Sequence, residues 1–127
     1  MGVDRKFLLC GLFFAIAGLC LGIYMAASEN HTQMPTHTHV MLAGFVISVV
    51  YATIHRLWLP GLQGRLKSVQ FALHILGVLA LATGLFLLFS NTASEKSLAP
   101  LLGSGAFAIL LGMLLMTWMV LRTRPLS

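Results

Sequence analysis

The stretch Phe7-Leu8-Leu9-Cys10-Gly11-Leu12-Phe13-Phe14-Ala15-Ile16-Ala17-Gly18-Leu19-Cys20-Leu21-Gly22-Ile23-Tyr24-Met25-Ala26-Ala27 contains no charged side chain. A bilayer core about 30 Å thick is crossed by about 20 apolar residues in a helix, and this run supplies them without a break. Three further runs of the same kind follow, Thr36 to Leu59, Ser68 to Ser90 and Leu98 to Leu121. The pattern predicts an all-α integral membrane protein, a single-domain four-transmembrane-helix bundle over residues 1–127, with helices at 7–27, 36–59, 68–90 and 98–121.

Composition agrees with that reading and excludes a water-soluble fold. Of 127 residues, 58% are hydrophobic and 9% charged, where a soluble domain carries about a quarter charged residues. Loop chemistry separates the runs: Ser28-Glu29-Asn30-His31-Thr32 with Pro35, then Pro60-Gly61 and Gly64, then Asn91 to Ser97 with Pro100. Pro35 and Pro100 each fall near an expected helix start, where proline is tolerated. Cys10 and Cys20 sit inside the first apolar run and read as apolar fillers that cannot bridge one another along one helix. That run is too long for a signal-peptide core and shows no clear cleavage site, so it is read as a helix.

Charge sets the expected orientation. Arg5, Lys6, Arg56, Arg65, Lys67, Arg122 and Arg124 fall on one side of the four runs, and Lys96 alone falls on the other. The positive-inside rule then puts both termini and the second loop in the cytoplasm, as for a protein of the bacterial inner membrane. The net charge of +5 is accordingly a topology signal. The partner it implies is the lipid bilayer, with no nucleic acid. Asp4, Glu29 and Glu95 are the only acids and all lie near loops, so transport through a membrane carboxylate is not expected.

An offset of 66 residues aligns Gly11 with Gly77, Gly18 with Gly84, and Ala27-Ser28-Glu29 with Ala93-Ser94-Glu95. The match predicts a duplicated helical hairpin whose halves are related by an axis along the membrane normal. The histidines are not duplicated with it: His37 and His39 correspond to Gly103 and Gly105, and His74 corresponds to Leu8.

Four of the five histidines, His37, His39, His55 and His74, lie in or at the membrane, where ionisable residues are functional candidates. His74 lies one turn from Gly77, which would leave room for a flat macrocycle, and imidazole is a usual nitrogen ligand of haem iron. The alternative for His74 is a core histidine satisfied by a hydroxyl or a backbone carbonyl. At about 100° per residue, His37 and His39 point about 200° apart, so a regular helix cannot aim both at one ion. His37 and His55, separated by five full turns, share a small and polar stripe with Gly44, Ser48 and Tyr51 that is expected to be buried.

The segment His39-Val40-Met41-Leu42-Ala43-Gly44-Phe45, with Tyr51 and Trp58-Leu59-Pro60, resembles the second-helix signature of the haem-copper oxidase and nitric oxide reductase catalytic subunits. In that superfamily the corresponding histidine is an axial ligand of the low-spin haem. The resemblance implies that His39 holds haem b. It also implies a short four-helix relative that keeps a haem-binding element without the histidine triad of a copper centre.

Depth constrains the ligand pairs. A rise of 1.5 Å per residue places His39 and His74 about 15 Å apart along the membrane normal, with His55 and His74 near one level. Three schemes follow: His39 from each protomer of a homodimer, His55 with His74 in one chain, or His37 or His39 with His74 if the helices tilt. The function this suggests is a small b-type cytochrome in a respiratory context, exchanging electrons with a quinol or a cytochrome. Two alternatives are a non-catalytic accessory subunit or assembly factor of a larger respiratory complex, and an outward-facing copper or zinc site made by His31, His37 and His39, with Glu29 or Met34.

Overall fold

The computed structural model describes residues 1–124, and these form helices and short connections with no strand. Helix α1 spans Val3–Ser28, α2 Met34–Leu57, α3 Leu66–Phe89 and α4 Glu95–Arg122. Each is long and apolar enough to cross a membrane. The expected four runs are all present, and each helix begins two to four residues ahead of its expected start. Helix α2 stops at Leu57, two residues short of the expected end, where the chain turns into Pro60-Gly61.

Helix α2 is not regular. It is α-helical over Met34–His39, widens to a π-helix over Val40–Val46, and returns to α over Ile47–Leu57. At the end of the wide segment the Ile47 N–H donates to the Leu42 carbonyl, five residues back, and so passes over Ala43. The wider turn also changes which residues face inward: Thr36, Val40, Gly44 and Ser48 are all buried, a spacing of four that a regular α-helix would let drift around its axis.

Helix ends are closed by local chemistry. Glu29 after α1 and Asn91 after α3 both adopt the left-handed conformation at φ 57°, which turns the chain back after each of these helices. Ser94 caps α4, its Oγ accepting from the Ser97 N–H at 3.1 Å. Pro100 lies within α4 rather than ahead of it, near enough to the start that the lost backbone donor falls on the exposed first turns.

The chain forms two antiparallel hairpins in contact, α1 with α2 and α3 with α4. Glycine lets the helices of each pair approach. A Cβ on Gly105 would lie 2.9 Å from the Gly77 carbonyl oxygen and 2.8 Å from the Leu81 nitrogen, while one on Gly84 would meet Leu102. In the first hairpin Gly11 faces the Phe45 carbonyl, Gly18 faces Met41, and Gly44 seats the Phe14 ring. Gly11 and Gly77, paired in the internal repeat, thus both face the second helix of their own hairpin, as do Gly18 and Gly84.

At the end of the bundle that carries both termini, Phe7, Tyr51, Leu59, Met116 and Met119 form the larger core cluster. The Phe7 ring meets Phe71 edge-on at 4.9 Å and so ties α1 to α3. An exposed ion pair, Arg56 to Asp4 at 3.3 Å, joins the start of α1 to the end of α2. At the opposite end the buried Gln33 donates its amide to the Phe86 carbonyl at 3.1 Å and accepts from Thr36 Oγ1 at 2.7 Å. That clasp fixes the first loop against α3.

The Gly77–Gly105 approach leads to an expected outcome. Gly105→Val places a branched side chain against backbone atoms that cannot move aside, and should cost about 1–3 kcal/mol. Gly103→Ala, where an added Cβ meets nothing within 4 Å, should cost nothing. Reversible unfolding of the detergent-solubilised protein in rising SDS, followed by circular dichroism, separates the two.

Candidate functional site

Two sets of histidines emerge, one buried and one near the surface. His74 on α3 and His55 on α2 have relative exposures of 0% and 1%. They flank the Phe7 ring, with centroid distances of 6.0 Å to His74 and 5.5 Å to His55, the latter pair stacked. The Tyr51 ring closes on His74 edge-on at 4.9 Å, and its hydroxyl donates to the Met113 sulfur at 3.3 Å.

The polar partners of this cluster follow from the irregularity in α2. His74 Nε2 lies 2.9 Å from the Ala43 carbonyl oxygen, the acceptor that the Ile47 N–H passes over. A carbonyl can only accept, so the proton is on Nε2. His55 Nε2 meets Gln70 Oε1 at 2.9 Å. Four buried atoms, His55 Nδ1, His74 Nδ1, Gln70 Nε2 and Ser48 Oγ, have no hydrogen-bond partner among the described residues. So many unpaired polar atoms in so small a volume is unusual for a packed interior.

The expected macrocycle space beside His74 is filled. The Gly77 position is covered by the Gly105 carbonyl and the Ile109 side chain. The depth expectation also changes: His74 reaches the carbonyl of Ala43, only about 6 Å along the helix from His39, so the two histidines are closer in level than the 15 Å inferred above. They nevertheless diverge, because His74 points into the core whereas His39 is exposed.

The second set lies near the start of α2. His37 Nδ1 is 2.8 Å from the Gly18 carbonyl oxygen, and its ring packs over Gly22 of α1. His39 Nδ1 is 2.8 Å from the Pro35 carbonyl oxygen. In both rings Nδ1 therefore carries the proton and Nε2 keeps its lone pair, the arrangement that orients metal-binding imidazoles. His37 is half-buried between α1 and α2, whereas His39 faces outward beside Leu42 and Val46. The expected divergence of the two rings is present. The stripe of Gly44, Ser48, Tyr51 and His55 is buried as expected, with His37 at its edge.

His31 lies exposed in the first loop. Among the described residues no three of His, Cys, Asp and Glu converge on a point where a metal ion could sit, so the His31, His37 and His39 set is not gathered in one chain. Gln70, Gln33 and Phe7 were not singled out from sequence. Gln70 carried a signal, as an amide in an otherwise apolar helix, and Phe7 carried none.

The haem-ligand expectation can be set against these donors. At His55 and His74 both Nε2 atoms are hydrogen-bonded, both rings are enclosed, and Phe7 lies against both, so this pair as folded does not fit an iron between its rings. At His37 and His39 no hydrogen bond engages Nε2 among the described residues, and His39 is exposed, so each ring singly has the donor atom of an axial ligand, although the two diverge and do not face one iron. Compared with protein-family models, with curated proteins and with solved structures, the chain matches none.

The His74 bond to Ala43 can be tested by deletion. His74→Leu removes a hydrogen bond to a carbonyl in an apolar interior and should destabilise by about 1–3 kcal/mol, and His74→Gln, which keeps a donor, should recover part of it. Ser48→Ala removes an unpaired buried hydroxyl and should leave stability unchanged or raised. Midpoints of SDS-induced unfolding give the comparison.

Proposed function

We propose that the chain is a small membrane cytochrome that binds haem b at the outer end of α2, with His39 as an axial ligand, and passes electrons within a respiratory chain. The single observation that carries the reading is the His39 ring itself, held at Nδ1 by the Pro35 carbonyl while Nε2 stays free on an open face. His37, held in the same way by Gly18, is the nearest substitute. The resemblance of His39 to Pro60 to the haem-copper oxidase second helix points to the same residue.

Haem, when bound, supplies a one-electron couple whose potential is tuned by its axial ligands and their hydrogen bonds. The chain's own part is to fix the imidazole tautomer and to orient the ring, with the apolar side chains of Leu42 and Val46 also exposed on the same helix. A face so open calls for a second surface to cover it. A second copy related by a twofold axis would bring another His39 to the same depth and complete bis-histidine ligation.

The proposal includes the orientation. Both termini and the second loop lie at the end that carries seven of the eight Lys and Arg residues, which supports a cytoplasmic placement of that end in a bacterial inner membrane. The outer end of α2 then faces the periplasm, where a quinol at the membrane edge or a cytochrome could exchange electrons with the haem.

The test is a reduced-minus-oxidised visible spectrum with pyridine haemochrome on the detergent-solubilised protein. The expected result is a b-type signal that is lost in His39→Ala and kept in His74→Leu. A folded, monodisperse protein without haem, or full haem content in His39→Ala, would overturn the reading. Absence of haem would leave an accessory role in a respiratory complex as the function to pursue.

A further inference from the structure

The end of the bundle that carries both termini is strongly cationic and nearly free of counter-charge. Asp4 is the one acidic side chain there, and it is already paired with Arg56. Arg5, Lys6, Arg65, Lys67, Arg122 and Arg124 have no acidic partner among the described residues. An excess of this kind is ordinary at a membrane surface. One recess beside it also carries exposed indole rings.

Between the end of α2, the second loop and the end of α4 lies a cleft of about 440 Å³. Trp58 and Trp118 form part of its lining, each about half exposed, at 54% and 52%. The Arg122 guanidinium lies 5.5 Å from the Trp118 ring centroid, so the ring supports the cation while its N–H edges stay free. Gln63, also in the lining, adds an exposed amide. Leu66 adds the first residue of α3, whose N-terminal turn has no side-chain cap. The cleft therefore combines indole rings of the interfacial belt, a supported cation and an uncapped helix start.

We propose that this cleft binds the phosphate headgroup of an anionic phospholipid, with Arg122 as its principal contact and Trp58 and Trp118 flanking the glycerol and upper acyl region. Charge complementarity selects the occupant: unpaired cations favour an anion, and the exposed tryptophans favour one attached to a chain that stays at the interface. Lys67 does not compete for the same role, because its Nζ donates to the Leu59 carbonyl at 3.3 Å. The site is independent of haem and lies at the opposite end of the bundle from His39.

Native mass spectrometry of the full chain in a neutral detergent provides the test, with dioleoyl phosphatidylglycerol, dioleoyl phosphatidylcholine and inorganic phosphate as separate probes. The expected result is retention of phosphatidylglycerol in preference to phosphatidylcholine, with inorganic phosphate neither retained nor able to displace the lipid. Arg122→Gln should weaken phosphatidylglycerol retention about tenfold, the size expected from one lost charge-assisted contact, and Lys96→Gln at the far end should not change it. If Arg122→Gln fails to fold, Trp118→Leu, which removes the support of the guanidinium, should give the same loss. Equal retention of the two lipids, undiminished retention in the Arg122 or Trp118 variant, or displacement by inorganic phosphate would overturn the proposal.

Discussion

A backbone carbonyl in an apolar interior must find a donor, and in this bundle the carbonyl of Ala43 finds it in another helix. The π-helical segment Val40–Val46 takes the Ile47 N–H to Leu42 rather than to Ala43, so a donor from elsewhere can approach that carbonyl. His74 Nε2 does so at 2.9 Å. That bond fixes the ring orientation of His74, joins the second helix to the third, and sets the level at which Tyr51 and Phe7 pack around the imidazole. The rest of the inner core is arranged about it.

The irregular turn also explains why the two sets of histidines differ. It holds Thr36, Val40, Gly44 and Ser48 on the inner face, leaving His39 outward. Each outer histidine is anchored by Nδ1 to a carbonyl, from Gly18 or Pro35, and retains a free Nε2. The inner histidines instead commit Nε2, to Ala43 and Gln70. The imidazoles thus carry opposite assignments: His37 and His39 are anchored through Nδ1, whereas His55 and His74 serve as structural donors through Nε2.

The two ends of the bundle differ in chemistry as well. The outer end is fastened by neutral amide and hydroxyl groups, through Gln33, Thr36 and the Phe86 carbonyl. The other end is fastened by aromatic packing around Phe7 and surrounded by unpaired cations.

The four helices, their order, the shared position of both termini and the cationic end were legible in the sequence, because long uncharged runs and the side on which Lys and Arg fall are local properties that need no packing to be read. Three features were decided only by the tertiary structure. Nothing local in Val40–Val46 marks a π turn, and the His74 ring that meets the Ala43 carbonyl there comes from another helix. The room expected beside His74 was taken by α4, since a glycine on one helix invites the backbone of its neighbour before it invites a ligand. Which nitrogen of each histidine is engaged depends on carbonyls brought near by folding, from Gly18, Ala43 and Pro35, and no spacing of residue types along the chain encodes that choice.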